Sequence, residues 1–171
     1  MKLRTRTYSG STSSEVTVRE TINRQLSRRA AAEGVVLLKN EGVLPVALDM
    51  PIAIYGNGIA QIIKGGTGSG DVNSRNVVSM LDGLKDAGYT IVNETSARKY
   101  MEDYERAGKE WGAEVLKRID SLSAGSTMEF FGVLSKTPKE EVKEIAVVPE
   151  DVKQAKTVVY IISRVAGEGR D

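Results

Sequence analysis

The sequence predicts an α/β fold built on a mostly parallel sheet, and three observations carry that prediction. Residues 52–93 read as strand, loop, helix, strand, which is a βαβ unit with a right-handed crossover. Thr157 to Ser163 is the most strand-like run in the chain, apolar enough to read as central and buried. Amphipathic helical patterns fill the intervals between these runs.

Taken in order, Thr17 with Glu20 three residues on is a capping-box signature. Val18, Ile22, Leu26 and Ala30 then form one apolar stripe of a packing helix, continued by Val35 to Leu38 and stopped by Asn40 and Gly42. Residues 1–16 precede it as a flexible Ser/Thr-rich leader. Ile52-Ala53-Ile54-Tyr55, between Pro51 and Gly56, reads as a buried strand. Val77, Val78, Leu81 and Leu84 mark the crossover helix, closed by Gly88, and Thr90-Ile91-Val92 the second strand. Ser96 caps a long helix with Tyr100, Tyr104, Trp111, Val115, Ile119 and Leu122 on one face. Residues 123–137 read as loop with Met128, Phe130 and Phe131 as anchor, and Thr137-Pro138-Lys139-Glu140 as a helix start. A further short helix begins near Pro149. Three strands make a thin sheet with an open edge, so the 171 residues are expected to belong to a longer polypeptide or to be completed by a second chain. The same edge leaves self-association into a homo-oligomer as one expected outcome.

Composition narrows the chemistry. Twenty-four basic and 23 acidic residues give a net charge of +1, so no overall field points to nucleic acid or to an anionic membrane. With no cysteine and no histidine, thiol nucleophiles, thiolate or imidazole metal sites and His-based triads are excluded. Acid/base work falls to Asp, Glu, Lys or Tyr. No apolar run is long enough for a bilayer and no secretory signal follows Met1, from which a cytoplasmic location is expected.

Three segments could carry chemistry. Gly56-Asn57-Gly58-Ile59-Ala60-Gln61 follows a strand as a dinucleotide fingerprint does, but Gln61 stands where the third glycine belongs and Glu94 lies too far along for the ribose carboxylate. Lys64-Gly65-Gly66-Thr67-Gly68-Ser69-Gly70-Asp71 lacks the Gly-Lys-Ser/Thr ending of a phosphate loop. Its glycines suit a flexible connection or a structured loop at a ligand, and the flanking Lys64, Asp71 and Asn73 favour the second reading. Gly167-Glu168-Gly169-Arg170-Asp171 follows the carboxyl end of the strongest strand, where open α/β sheets bind ligands. From the pattern alone, a solvated loop carboxylate is the slightly favoured reading of Glu168, and a carboxylate reaching into a cleft the alternative.

Taken together, three stretches resemble glycoside hydrolase family 3. Ala31 to Pro45 (AAEGVVLLKNEGVLP) is similar to the start of that family's second, α/β-sandwich domain. Ile54-Tyr55-Gly56 with Lys64 to Asp71 resembles its first strand and glycine loop, and Ile162 to Asp171 its Ser-Arg-x-x-Gly-Glu-Gly-x-Asp-Arg segment. The resemblance implies that residues 17–171 are the N-terminal part of a three-layer, flavodoxin-like sandwich, incomplete without later strands. It implies a retaining β-glucosidase acting on terminal non-reducing β-D-glucosyl residues, with an aspartate nucleophile on a (β/α)₈ barrel of the same polypeptide and Glu168 as general acid/base. Arg164 and Asp171 match the pattern, and Lys64 and Asp71 fall at the interdomain cleft. For all four, a local hydrogen bond that shapes a loop is the competing role. No cofactor and no metal are implied, since two carboxyls suffice. The barrel needs about 250 residues, so this chain alone is expected to be inactive, and its plain Met-Lys-Leu start suggests a sandwich-first member. A non-catalytic α/β module, binding sugar or making only interdomain contacts, is the rival reading.

Overall fold

The computed structural model describes residues 14–64, 77–122 and 127–164, which fall into two compact units, Met1–Leu44 and Pro45–Asp171. In the first, helix α1 (Val18–Gly34) begins with the capping box that the sequence predicts. The Glu20 N–H donates to Thr17 Oγ1 at 3.2 Å and the Thr17 N–H to Glu20 Oε2 at 2.7 Å. The helix ends at Gly34, and Val35 is extended, so Val35 to Leu38 do not continue it. Its stripe is also not packed as expected: Val18, Ile22 and Leu26 are all exposed. Beyond it the Asn40 side chain shapes a turn, accepting from the Gly42 and Leu44 N–H groups and donating to the Leu44 carbonyl.

The second unit holds the α/β core. Strand β1 (Ile52–Tyr55) is at most 1% exposed at every residue. It pairs in parallel with β2 (Thr157–Tyr160), Ile52 opposite Thr157 and Tyr55 opposite Tyr160. Helix α2 (Met80–Asp86) lies between β1 and Ile91, capped by the Ser79 hydroxyl; Val77 and Val78 precede it. The 90–92 run forms one parallel bridge, Ile52 to Ile91, instead of a strand. The reason is local: α3 (Glu94–Asp120) starts two residues later, and Asn93 at its N-cap turns its side chain to β1. The Ile54 N–H donates to Asn93 Oδ1 at 2.9 Å and Asn93 Nδ2 donates to the Ile54 carbonyl at 2.7 Å. A side-chain amide thus stands in for the missing strand residue. The predicted cap, Ser96, lies inside the helix.

Among the described residues β1 is therefore the inner strand and β2 the edge, so the expectation that 157–163 is central and buried is corrected. Val159 and Ile161 pack on the core, while Val158, Tyr160 and Ile162 face outward. The core gathers Ile52, Ile54, Ile59, Leu81, Ile91, Ala97 and Tyr100. The predicted face of α3 holds, with Tyr100 and Val115 buried and Tyr104, Trp111 and Ile119 half-buried.

Two further expectations give way. Residues 127–136 form a helix, α4 (Thr127–Lys136), not a loop, and Met128, Phe130 and Phe131 are exposed instead of anchoring it. Val133 and Leu134 are its more covered side chains. Trp111 Nε1–H donates to the Thr137 carbonyl at 3.1 Å, which ties the end of α4 to α3. No helix starts at Thr137. Its hydroxyl donates back to the Val133 carbonyl at 2.7 Å, finishing α4. Residues 138–148 then run without regular structure, placing Val142 and Ile145 on the core, Lys139 over the Tyr104 ring and Glu144 at the Tyr160 hydroxyl. Tertiary contacts outweigh a local start signal here. Helix α5 (Pro149–Gln154) carries Pro149 in its first turn, as predicted.

Candidate functional site

The carboxyl ends of β1 and β2 come together at Gly56-Asn57-Gly58 and Ile161 to Arg164. Gly56 takes φ +92°, a conformation that L side chains rarely adopt, and turns the chain out of β1. A Cβ there would collide with the Ile161 carbonyl oxygen, and one at Gly58 with the Ile161 side chain. The two glycines are thus explained by the close crossing of two backbones, not by a phosphate. A short 3₁₀ turn, Asn57–Ile59, follows.

The parallel ladder continues past Tyr160 by substitution. The Ile161 N–H donates to the Tyr55 carbonyl at 2.8 Å, and the Gly58 N–H to the Ile161 carbonyl at 3.0 Å. The Asn57 side chain then takes over. The Ser163 N–H donates to Asn57 Oδ1 and Asn57 Nδ2 donates to the Ser163 carbonyl, each at 2.8 Å. The second amide hydrogen is directed to Gln61 Oε1 at 3.2 Å. A backbone N–H can only donate, so the amide's orientation is set by the backbone it clamps. Tyr55, the last residue of β1, has a buried hydroxyl with no hydrogen-bond partner among the described residues. Burial pushes the phenol above its usual range, and the nearby Val148 backbone offsets this only in part.

Of the predicted site residues, the structure describes Lys64 and Arg164. Both are exposed, at the ends of the two segments that leave this junction. Asp71, Glu168 and Asp171 lie outside the described residues. Sequence reasoning missed Asn57 and Asn93. A polar amide just past an apolar strand, or just before a helix, was the available signal, but turn chemistry explains such an asparagine equally well.

The titratable cluster at the start of α3 lies apart from the glycine junction in sequence. Lys85 and Arg98 both donate to Glu94, and Arg98 also reaches Asp82 at 3.5 Å. The Lys85 and Arg98 hydrogen bonds hold the Glu94 carboxyl below the usual carboxylate range. A groove beside it is lined by Glu94, Thr95, Arg98, Lys99 and Glu102, and a second groove lies between α3 and α4. Neither is lined by a predicted site residue. Among the described residues no group of acidic side chains could hold a metal ion, and no helix is long and apolar enough to cross a membrane.

Comparison with known proteins places this junction in a family. Over 157 residues the chain is 32% identical to beta-glucosidase A of Butyrivibrio fibrisolvens, covering 86% of this chain and 15% of that protein. It is 34% identical over 123 residues to a beta-glucosidase of Ruminococcus albus, covering 64% of this chain and 13% of that one. Among solved structures, beta-glucosidase 3B of Thermotoga neapolitana in complex with glycerol superposes with a TM-score of 0.56 at 31% identity, over 87% of this chain and 18% of that chain. The same enzyme in complex with alpha-D-glucose gives a TM-score of 0.58 at 31% identity, over 88% of this chain and 19% of that chain. The chain thus spans less than a fifth of the length of these relatives. The model of the glycosyl hydrolase family 3 C-terminal domain matches residues 35–171, and the chain belongs to that family.

Proposed function

We propose that this chain is the N-terminal part, residues 17–171, of the three-layer α/β-sandwich domain of a retaining β-glucosidase, and that it supplies Glu168 as the general acid/base. The observation that carries this reading is the family match running through Gly167-Glu168-Gly169, directly after the β2 segment and its continuation to Arg164. The named relatives are beta-glucosidases. The location also suits the chemistry, because open α/β sheets present ligand-binding loops beyond the carboxyl ends of their strands.

In the reaction, an aspartate on a barrel domain of the same polypeptide attacks the anomeric carbon of a terminal β-D-glucosyl residue. Glu168 gives its proton to the leaving oxygen, and the C–O bond breaks. The same carboxylate then takes a proton from water as that water displaces the aspartate, so the anomeric configuration is retained. The two carboxyls must lie about 5–5.5 Å apart. Glu168 must be protonated in the first step and ionised in the second. Lys64, Asp71, Arg164 and Asp171 belong to the loops facing the cleft. The barrel needs about 250 residues, so the 171-residue chain does not hydrolyse glucosides alone.

The test compares the full-length polypeptide with its Glu168→Ala variant on β-glucosides bearing a good and a poor leaving group. Hydrolysis of the poor leaving group should fall by about 10²–10⁴-fold, the usual worth of general acid/base catalysis. The activated substrate should react far better, and azide should restore turnover. A variant that matches wild type on both substrates makes Glu168 a bystander and returns the domain to a non-catalytic module.

A further inference from the structure

From the geometry at the sheet's carboxyl end we infer that Asn57 is a positioning residue for the acid/base segment, fixing the direction in which the chain leaves the sheet towards Glu168. This inference rests on the reading of Glu168 above. At Gly56 β1 turns away, and its last backbone bonds to the chain opposite are made at Ile161, whose N–H donates to the Tyr55 carbonyl and whose carbonyl accepts from Gly58. Beyond Ile161 the segment would then have lost its backbone partners. Asn57 replaces them. Its amide closes a two-bond ring on the Ser163 backbone, both bonds at 2.8 Å, across 106 positions of sequence.

Such a ring specifies more than proximity. Both bonds form together only when the Ser163 N–H and C=O lie in the amide plane, so rotation of the segment about its own axis is restrained. The Asn57 amide is itself held, by Gln61 on its free hydrogen and by the Gly58–Ile161 bond next to it. Ile161 is anchored in turn, since its side chain packs on the core. Glu168 stands five positions beyond Ser163. A carboxyl on so short a tether inherits errors at the clamp. A misplacement of about 1 Å arising away from the chemistry can cost about 10²-fold in rate.

The test uses the full-length polypeptide with Asn57→Ala and, in parallel, Glu168→Ala. On a β-glucoside with a poor leaving group, Asn57→Ala should lower kcat/KM by about 10- to 100-fold. The loss should lie in kcat with KM little changed, and it should shrink on an activated aryl glucoside. The limb of the pH–rate profile that belongs to the acid should shift as well. Should Asn57→Ala fail to fold, Asn57→Asp carries the same test, because it keeps the acceptor for the Ser163 N–H while opposing a carboxylate to the Ser163 carbonyl. Equal losses on both substrates with an unmoved pH profile would make Asn57 a purely structural residue and overturn the inference, as would wild-type kinetics. If Glu168→Ala shows no leaving-group dependence, the assignment of Glu168 fails first and this inference falls with it. If Glu168→Ala shows it and the Asn57 variants do not, the inference alone fails.

Discussion

Two asparagine side chains do the work of backbone in this molecule. Asn93 and Asn57 each close a pair of hydrogen bonds on a peptide that has run out of strand, at Ile54 and at Ser163. The carboxamide suits this role because it carries a donor and an acceptor with the spacing of a peptide group. At Asn93 the stakes are high, since Ile54 is fully buried and its N–H and C=O have no water to fall back on. Asn93→Ala should therefore destabilise the chain by about 1–3 kcal/mol for each orphaned group, read as a lower urea midpoint. A change of a few tenths of a kcal/mol, as at a surface site, would show that the ladder closes without it. Glu168, by contrast, was legible in the sequence only as a glutamate between glycines after a strand. Its proposed role rests on the resemblance to the family, and its leaving-group test belongs to this scale.

At the scale of elements, most predicted helices and strands form. The readings slip at their ends, at the 90–92 run, which makes a single bridge, and at 127–137, where a helix replaces the predicted loop and none starts at Thr137. The capping box at Thr17 and Glu20 is purely local, and it forms as the sequence predicts. The start of α3 is set instead by what Asn93 does across the sheet, and α4 forms where Thr137 back-bonds and Trp111 docks. On α3, acidic residues are held ionised by basic neighbours, Lys85 of α2 and Arg98 at Glu94 and side chains one turn away on α3 at Asp103 and Glu114. Glu94 is lowered by hydrogen bonds from Lys85 and then Arg98, Asp103 mainly by Lys99, and Glu114 mainly by Arg118. A carboxyl whose folded pKa lies below its unfolded value adds stability above the unfolded pKa and loses it as pH falls through the folded one. Melting temperature should accordingly drop as pH is lowered from 7 through about 4. Glu94→Gln should be less stable than wild type at neutral pH and converge with it in acid. A gap that persists unchanged at low pH would show that packing, not charge, holds Glu94. The effect is small for each pair, because these side chains are partly solvated.

For the molecule as a whole, the outward side of the β2 segment is apolar and uncovered. Val158 is 43% exposed, Tyr160 56% and Ile162 69%, all on the same side of an extended run. Edges and faces of this kind pair with whatever apolar surface they meet. The isolated 171-residue chain should therefore self-associate with increasing concentration in sedimentation velocity. A Val158→Lys, Ile162→Lys double variant should shift the distribution towards monomer. A wild-type chain that stays monomeric at high concentration would show that this face is tolerated in water. The open edge was legible in the sequence from the small number of strands; which strand bears it was not, because composition marked 157–163 as central.

The sequence by itself determined the α1 capping box, the Pro149 start of α5, the β1 core strand, the α/β class and the family motifs, because these depend on neighbours a few positions away or on residues read in order. Tertiary structure alone decided that β1 is inner and β2 outer, that Gly56 and Gly58 make room for Ile161, and that Asn57 and Asn93 finish the ladder. Each of these is a contact between groups tens of residues apart. Its energy comes from burial and from backbone groups that must be paired once water is gone, and no local pattern records which distant peptide will be left needing a partner.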